Sequence, residues 1–295
     1  MNKQKVIAVV GPTASGKSSL GVFLAQKLDG EIISADSRQV YKGLDIGTGK
    51  VTKKEMGAVK HHLLDIVSPK RQFSASDFVR LAEKKIGEIS GRKKTALVVG
   101  GTGFYTDTLL GRMILPDVPP NEKLREQLEK KSTKQLFNIL QKLDPRRAAN
   151  IEPEHKRRLV RAIEVAKAVG SSPVQNPVQN YDVLWLGINP SQKKLEQNIH
   201  KRLLARMKAG MIVEAKRLHT TGLAYKRMEA LGLEYRSLAR LLKKETSKEK
   251  MLEELECAIN QYAKRQMRWF KRNSDIRWVK NKTEALRLAK AFLSR

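Results

Sequence analysis

The sequence predicts an α/β protein built on a doubly wound parallel sheet. Three stretches, "KVIAVV", "EIISADS" and "TALVVGGTGFY", are short apolar runs rich in β-branched residues, as expected for strands buried on both faces. The first is followed by "SLGVFLAQKL", which has helical periodicity, so strand and helix alternate along the chain. A glycine-rich loop joins that first strand to its helix, a connection typical of such folds.

A run of helices after the third strand predicts an inserted domain. Prolines mark the start of this segment, and the basic amphipathic pattern "EPEHKRRLVRAIEVAKAVG" ends it at Gly170. The connector "SSPVQNPVQN", residues 171–180, then leads to "YDVLWLGIN", which returns to the sheet. We therefore expect an α/β core formed by residues 1–112 and 181–295 and a helical insertion at 113–180. The C-terminal region of the core is basic and mostly helical, with a late strand at "DIRWVKN".

Charge is the strongest compositional feature of the 295-residue chain. Lysine and arginine number 59 against 30 aspartates and glutamates, which gives a formal net charge of +29. This excess favours a partner with a phosphate backbone, since each neutralised phosphate releases condensed counterions. Adaptation for solubility, or attraction to an anionic membrane surface, would also produce a basic chain.

Other features predict a monomeric cytoplasmic protein without a membrane span. The sequence has no run of about 18 apolar residues, and its amino terminus lacks the pattern of a secretory signal. Cys257 is the single cysteine, which excludes an internal disulfide and fits a reducing compartment. We find no oligomerisation element and no sign of an obligatory protein partner.

The segment "GPTASGKS" fits the phosphate-loop pattern G-x-x-x-x-G-K-[ST], with a strand before it and a helix after it. Glycines let backbone N–H groups approach phosphate oxygens, and the helix N-terminus adds its positive dipole. Lys17 supplies a positive charge, and Ser18 supplies a hydroxyl that can bind Mg²⁺. The predicted phosphate-binding residues are Gly11, Pro12, Thr13, Ala14, Ser15, Gly16, Lys17 and Ser18.

The acidic residue that ATPases of this type usually place at the end of a later strand is missing. The strand "TALVV" ends in glycines and Thr102 instead. A carboxylate is found at Asp36, which closes the strand "EIISADS" and has Ser37 beside it. Because both strand ends would lie beside the phosphate loop, Asp36 is predicted to face the site. Capping of the next helix is an equally suitable role for this side chain.

A single carboxylate beside a diphosphate suits proton abstraction from a nucleophile while the diphosphate leaves. The exocyclic amine of adenine is such a nucleophile, because its lone pair is delocalised into the ring and it needs a base as it attacks carbon. An allylic carbon that bears diphosphate is the complementary electrophile. Its ionisation gives a delocalised cation, and the phosphate loop with Mg²⁺ would stabilise the departing charge.

Several motifs occur in order and together resemble the tRNA dimethylallyltransferase family: "GPTASGKS", "ISADSRQVYKGLDIGTGK", "HHLLDIVSP", "FSASDF", "VVGGTGFY" and "YAKRQMRWF". The resemblance spans residues 6 to about 280, and the block "DSRQVYKGLDIGTGK" is far more specific than the phosphate loop. It implies a nucleoside-kinase-like P-loop fold and Mg²⁺-dependent transfer of a dimethylallyl group from dimethylallyl diphosphate. The implied acceptor is N6 of the adenosine on the 3′ side of the anticodon, in tRNAs that read codons beginning with U.

The resemblance also implies roles for individual residues. Asp36 would be the general base on N6, Thr102 would lie between donor and acceptor, and residues 13–18 would hold the donor. The residues implied to contact tRNA are Asp36, Ser37, Arg38, Gln39, Thr102, Arg125, Arg157, Arg158, Leu159, Val160 and Arg161. The arginines of "RRLVR" also place positive charge along one helix, as contact with the nucleic acid backbone requires, although a solvated basic face would have the same pattern.

Two departures from the family pattern concern the C-terminal region. The family motif Thr-Arg-Gln-Tyr-Ala-Lys-Arg-Gln is "INQYAKRQ" here, so Asn260 replaces an arginine suited to a diphosphate contact; Lys264 or Arg265 would be the compensating cation. In "ALGLEYRSL", Leu233 and Glu234 separate the glycine and tyrosine that are adjacent in the family, which predicts different local packing.

Three other functions are compatible with parts of the sequence. A nucleoside or small-metabolite kinase would consume ATP without RNA, but the charge, the insertion and the missing acid disfavour it. A prenyltransferase of free adenine nucleotides would have no need of the basic insertion. A non-catalytic RNA-binding protein would bind tRNA in a salt-dependent manner without turnover, and the Asn260 replacement is consistent with it.

Overall fold

The sheet places the carboxyl ends of its strands along one edge. In the computed structural model, which describes residues 3–170 and 180–295, all strand pairings are parallel and the order is β3-β2-β4-β1-β5-β6. The strands are β1 (Gln4–Val10), β2 (Gly30–Ser34), β3 (His61–His62), β4 (Thr95–Gly100), β5 (Tyr181–Gly187) and β6 (Arg277–Trp278). The predicted parallel α/β fold is confirmed. Strand β3 has no counterpart among the predicted strands, because two residues are too few to show a periodicity.

Helices follow most of the strands and then continue without strands, as the sequence predicts. Those that belong to the sheet or follow it are α1 (Lys17–Lys27), α2 (Lys53–Met56), α3 (Ala75–Gly91), α4 (Gly103–Leu109), α9 (Gln192–Lys208), α10 (Met211–Thr220), α11 (Tyr225–Ala230), α12 (Leu233–Leu242), α13 (Lys248–Phe270) and α14 (Lys282–Leu293). Between α4 and β5 lie α5 (Glu122–Glu129), α6 (Thr133–Leu143), α7 (Pro145–Ala148) and α8 (Lys156–Val169).

Strand β1 shows why the central strands are apolar throughout. Ile7 and Val9 pack on the face covered by α1 and α14, whereas Val6, Ala8 and Val10 pack on the face covered by α3 and α4. All five residues are fully buried. Helices on both faces leave no side of the strand exposed to water, so no polar alternation develops.

Helices α9 to α13 form a further part of the core and carry α13 to the sheet. Tyr235, Leu238 and Leu255 are buried at the centre of this cluster, together with residues of the segment after β2 such as Leu44. The far end of α13 belongs to the sheet instead, because Phe270 packs with α3 and α4. This arrangement brings the last turns of α13 to the carboxyl ends of the strands.

The chain divides into two compact units, residues 1–113 with 179–295, and residues 114–178. In the second unit, α5 to α8 surround a core that includes Leu136, Leu140, Leu159 and Ile163. Side chains cap its helices: Asn121 Oδ1 accepts the N–H of Leu124 at 3.0 Å, and Ser132 forms a capping box with Gln135. The connector predicted at residues 171–180 lies, apart from Asn180, outside the described residues.

Candidate active site

A cavity of about 280 Å³ opens where strands β1, β2 and β4 end. It is bordered by the phosphate loop through Thr13, Lys17 and Ser18, and by residues 36–39, which follow β2. Parallel strands end at the same edge of a sheet, so these two motifs meet although they are separated in the sequence. The cavity therefore borders both the predicted phosphate site and the predicted carboxylate.

The phosphate loop is shaped by backbone conformations that favour small residues. Gly11 has φ 157°, and a Cβ at this position would lie 2.9 Å from the carbonyl oxygen of Ile188. Ala14 and Gly16 have φ of 58° and 93°, and α1 begins immediately after Gly16. The N–H groups at the start of α1 consequently have no partner within the helix and are available to an anion.

Lys17 is the cation of this loop. Its Nζ donates to the carbonyl of Pro12 at 3.1 Å, within the loop itself. Burial lowers the pKa of Lys17 to about 8, an effect that nearby Asp36 opposes and the guanidinium of Arg202 reinforces. The ammonium thus lies where its charge is poorly solvated, which strengthens its attraction for an anion.

Asp36 does both things that the sequence allowed. Its Oδ1 accepts the backbone N–H groups of Arg38 at 2.8 Å and of Gln39 at 3.3 Å, so it caps the turn after β2. The residue also borders the cavity. Within the described residues, Oδ2 has no hydrogen-bond partner, so one carboxylate oxygen fixes the turn and the other is available for chemistry.

Thr102 supports that turn rather than bordering the cavity. Its Oγ1 accepts the N–H of Ser37 at 3.1 Å, and its own N–H donates to the carbonyl of Ala35 at 3.2 Å. The end of β4 lies close to the backbone of Ala35. A glycine is required at position 100, because a Cβ there would collide with that backbone. Thr102 therefore links the end of β4 to Ser37 at the cavity edge.

Gln266 is a site residue that sequence reasoning missed. Gln266 is buried on α13. Its Oε1 accepts the N–H of Thr13 at 2.8 Å, and its Nε2 donates to the carbonyl of Gly101 at 2.7 Å. One side chain thereby joins the phosphate loop to the end of β4. The motif "YAKRQ" contained the signal, because Gln266 is a polar residue on the same helical face as apolar Ile259 and Ala263.

Arg202 was also missed, and it brings a second cation to the cavity. It extends from α9, and its Nη2 donates to the carbonyl of Gly49 at 2.6 Å. Gly49 has φ 58°, and a Cβ there would collide with the guanidinium, so a glycine is required for this approach. No carboxylate in the described part of the chain pairs with Arg202, and burial lowers its pKa. Its charge remains available to an anion in the cavity.

The cations expected to replace the family arginine lie elsewhere. Lys264 and Arg265 are exposed and do not border the cavity, and the Arg265 guanidinium lies 5.8 Å from the centre of the Tyr262 ring. Asn260 donates through Nδ2 to the carbonyl of Glu256 at 3.1 Å, a contact within α13. Arg202, in contrast, borders the cavity.

The inserted pair Leu233 and Glu234 is accommodated at the start of α12. Leu233 borders the cavity, and Glu234 accepts a hydrogen bond from Arg206 at 3.0 Å. Tyr235 turns away from the cavity and donates to the buried carboxylate of Glu214 at 2.6 Å. The local packing thus uses each of the three side chains differently.

The arginines predicted to contact tRNA belong to the second unit and differ in their surroundings. Arg157 is exposed and has no ion pair within the described residues, whereas Arg158 pairs with Glu152 at 2.7 Å. Arg125 and Arg161 both pair with one buried carboxylate, Glu164. Leu159 and Val160 are buried in the core of the unit, so they hold the helix in place and present no side chain to a partner.

The described residues contain no cluster of three or more histidine, cysteine, aspartate or glutamate side chains that could hold a metal ion. None of their helices is both long enough and apolar enough to span a membrane.

The fold and the site define the class of protein. A strand, a glycine-rich loop and a helix N-terminus form a phosphate site at the carboxyl end of a parallel sheet, as in P-loop proteins. Within this class, the model of the IPP transferase family matches residues 39–273. The chain belongs to the IPP transferase family.

Known proteins resemble the chain over almost its full length. The tRNA dimethylallyltransferase 1 of Geotalea uraniireducens is 40% identical, over 98% of this chain and 96% of that protein. The tRNA dimethylallyltransferase of Bacillus pumilus is 37% identical, over 94% and 89%.

Solved structures agree with this assignment. The full-length tRNA isopentenylpyrophosphate transferase of Bacillus halodurans superposes with a TM-score of 0.76 at 34% identity, covering 99% of this chain and 97% of that chain. A eukaryotic dimethylallyltransferase acting on tRNA superposes with a TM-score of 0.83 at 25% identity, covering 99% and 80%.

Proposed function

We propose that the protein transfers a dimethylallyl group from dimethylallyl diphosphate to N6 of the adenosine on the 3′ side of the anticodon. The acceptors are tRNAs that read codons beginning with U, and diphosphate is released. The observation that carries the proposal is the shared cavity, which borders both the phosphate loop and Asp36. Membership of the IPP transferase family and the names of the relatives support the same reaction.

The donor diphosphate binds at the phosphate loop in this proposal. Residues 13–18 hold it, with the backbone N–H groups of residues 16–18 donating to its oxygens, and Lys17 provides a charge that burial has made poorly solvated. Arg202 provides a second charge from α9, in a chain that has Asn260 where the family has an arginine. Both cations stabilise the charge that the diphosphate gains as it leaves.

Asp36 acts as the general base. The bond between C1 of the allylic group and the diphosphate oxygen breaks, and its electron pair leaves with the diphosphate. A new bond forms between C1 and N6 of adenine, and the N6 proton passes to Oδ2 of Asp36. Because Oδ1 is engaged by the N–H groups of Arg38 and Gln39, the free oxygen is held in one orientation.

The residues at the site fit a Mg²⁺ ion that would be bound jointly by the protein and by the diphosphate of the donor. Ser18 borders the cavity at the first turn of α1 and would hold the ion. Mg²⁺ prefers oxygen ligands and usually retains several waters while binding substrate phosphates, so a site without a protein carboxylate cluster suits it. When bound, Mg²⁺ would supply neutralisation of the diphosphate charge.

We assign tRNA binding to the second unit and to residues 36–39. In this proposal, the helical insertion binds the anticodon stem-loop through its arginines, and the target adenosine leaves its stack to reach the cavity, bordered by Ser37, Arg38 and Gln39. Thr102 positions Ser37 through its hydrogen bond. We further propose that the protein acts as a monomer, and the tRNA substrate supports a cytoplasmic activity.

The experiment combines the purified protein with Mg²⁺, radiolabelled dimethylallyl diphosphate and unmodified tRNA, with ATP in a parallel tube. Label in RNA without ATP is expected. Loss of the γ-phosphate from ATP without labelled RNA would instead indicate a kinase, and label in free adenine nucleotides alone would indicate a different acceptor. Binding of tRNA with neither reaction would indicate an RNA-binding protein without turnover.

The general base is tested by Asp36→Asn. Asparagine keeps the oxygen that caps the turn but has no base, so we expect the rate to fall about 10²- to 10⁴-fold while tRNA binding is kept. Asp29→Asn, at an exposed carboxylate paired with Lys94, is the control and should retain full activity. A near-wild-type rate in Asp36→Asn would exclude Asp36 as the base.

A further inference from the structure

Glu164 is a buried carboxylate on helix α8 of the second unit. Only 1% of its side-chain surface is exposed. A charged group in such a position requires partners, because the free energy of removing it from water is large. The partners that it has are the arginines assigned to tRNA.

Four donors satisfy the two oxygens of Glu164. Its Oε1 accepts the N–H of Asn121 at 2.6 Å and Nε of Arg125 at 3.0 Å. Its Oε2 accepts Nη2 of Arg125 at 3.0 Å and Nη1 of Arg161. Nη2 of Arg161 also donates to the carbonyl of Val118 at 2.8 Å. The carboxylate therefore connects α8, α5 and the segment that precedes α5.

The two arginines remain partly accessible despite these contacts. Arg125 exposes 28% of its side-chain surface and Arg161 exposes 36%. Other charged groups near them are Glu122, 3.5 Å from Nη1 of Arg125, and the exposed Arg157 and Arg158 of the same helix. Each arginine is thus held by Glu164 while part of its side chain stays exposed to a ligand.

Glu164 remains ionised near neutral pH. Burial alone would raise its pKa, but the hydrogen bonds from Arg125, Asn121 and Arg161 outweigh burial and lower it. Arg125, Arg161 and Glu164 together carry a net charge of +1, and the exposed Glu122 lies beside Arg125. The carboxylate reduces the attraction of this surface for RNA while fixing the orientation of its guanidinium groups.

We propose that Glu164 is a positioning residue that fixes Arg125 and Arg161 in the orientation in which they bind the tRNA phosphate backbone. The proposal rests on the proposed function, because it requires tRNA to be the substrate. An arginine fixed before binding loses less side-chain entropy when a phosphate arrives, and its fork of donors is already oriented. Glu164 thus fixes the orientation of the two arginines, and it reduces the positive charge of this surface by one unit.

The variant Glu164→Gln separates geometry from charge. It makes the cluster more positive by one unit, so attraction by net charge alone predicts tighter tRNA binding. Glutamine also replaces Oε2 by an amide group that cannot accept from Arg161, so the positioning role predicts weaker binding. We expect KM for tRNA to rise about tenfold, as for the loss of one phosphate contact, with kcat and KM for dimethylallyl diphosphate nearly unchanged.

Glu126→Gln is the matched control. It makes the same charge change at an exposed residue of α5, and it should leave KM for tRNA unchanged or slightly lower. A wild-type protein that does not prenylate tRNA would overturn the proposed function. A wild-type protein that does so, with a Glu164→Gln variant that binds tRNA as tightly or more tightly, would overturn the positioning role alone.

A second variant decides the matter if Glu164→Gln does not fold. Arg125→Lys keeps the positive charge but cannot donate with both Nε and Nη2 to Glu164, so KM for tRNA should again rise several-fold. Lys123→Arg, at an exposed position of α5, is its control and should have no effect. Equal KM values for the two variants would overturn the proposal.

Discussion

Lys17 combines two properties that make donor binding sensitive to pH. Burial lowers its pKa to about 8, and its Nζ donates to the Pro12 carbonyl within its own loop. An arriving diphosphate would favour the charged ammonium and raise that pKa again. Proton uptake and donor binding are therefore coupled at this one side chain.

We predict that affinity for dimethylallyl diphosphate falls as pH rises above about 8. The pKa of Lys17 lies below the ordinary lysine value of 10.5 in the donor-free protein, so the ammonium loses its proton as pH rises through about 8. Binding above this pH must take up a proton, and the loss of affinity approaches about tenfold per pH unit. Titration calorimetry from pH 7 to 9, in buffers of different ionisation enthalpy, measures both the affinity and the proton uptake.

Lys17→Arg provides the control for this pH dependence. Arginine stays charged throughout this range. Donor binding to this variant should therefore be weaker, but it should not lose affinity between pH 7 and 9 through deprotonation of this side chain. An unchanged affinity of the wild-type protein over this range would contradict the role given to Lys17.

The two carboxylate oxygens of Asp36 have different roles. Its Oδ1 holds the turn through Arg38 and Gln39, and its Oδ2 is free within the described residues. The two roles that the sequence left open are therefore compatible, since a carboxylate has two oxygens. Its function as the base stays a prediction until Asp36→Asn is measured.

At the scale of elements, the loop at residues 43–50 positions the cavity. The buried Glu214 accepts the N–H groups of Asp45, Ile46 and Gly47 at 2.8–2.9 Å, which holds one side of the loop. The buried ammonium of Lys50 donates to the carbonyl of Tyr41 and to the side chain of Asp45. These contacts explain why the motif "GLDIGTGK" is so specific in sequence.

The loop borders the cavity through Thr48 and also acts on it through the carbonyl group of Gly49. The oxygen of Gly49 accepts Nη2 of Arg202 at 2.6 Å and Nε2 of Gln39 at 3.4 Å, and both of these side chains border the cavity. The backbone of the loop can thus determine where a cavity cation lies. Its influence depends on the absence of a side chain at Gly49.

We predict that Gly49→Ala raises KM for dimethylallyl diphosphate about tenfold. The new Cβ would collide with the Arg202 guanidinium and displace a charge from the cavity, a loss comparable to removing one charged hydrogen bond. The positive φ of 58° adds a stability cost of about 1–3 kcal/mol. Steady-state kinetics and thermal unfolding together measure both effects.

Gly57→Ala is the matched control for backbone strain. Gly57 has a similar φ of 55°, is exposed, and would bring its Cβ near only the Gln26 side chain. It should lose stability while keeping the KM for the donor. Equal effects of the two substitutions on KM would show that strain, and not Arg202, explains the result.

The elements that sequence analysis predicted are those specified locally. The phosphate loop lies within eight residues between a strand and a helix, and the apolar runs mark most strands by themselves. Contacts between distant segments could not be predicted. Arg202 lies 153 positions from Gly49, and Gln266 lies 253 positions from Thr13, so no spacing rule relates them.

The ion pairs of Glu164 in the second unit include one local contact and one contact between distant segments. Arg161 and Glu164 are three positions apart on α8, a spacing that predicts an ion pair on a helix. Arg125 lies 39 positions away and joins the same carboxylate through packing of α5 against α8. Sequence motifs identified the arginines, but the fold was needed to find the group that holds them.

At the scale of the whole molecule, the net charge of +29 is the property most directly relevant to RNA. Some of the 30 acidic residues serve internal contacts, as Glu214 does with three backbone N–H groups, so they do not cancel the charge of the surface. An excess of unpaired basic groups attracts RNA over distances comparable to the Debye length, which is about 8 Å at physiological ionic strength. Net charge alone, however, gives no orientation.

Salt dependence distinguishes specific phosphate contacts from general attraction. We predict that tRNA affinity falls linearly with salt on a logarithmic plot, and that Arg157→Gln reduces the slope by about 1 because an exposed, unpaired arginine neutralises one phosphate. Fluorescence anisotropy of labelled tRNA at several KCl concentrations measures the slope. Arg287→Gln, at an exposed position of α14, changes the net charge equally and should leave the slope unaltered. If both variants reduce the slope alike, RNA responds to the total charge, and the assignment of α8 as the contacting helix is wrong.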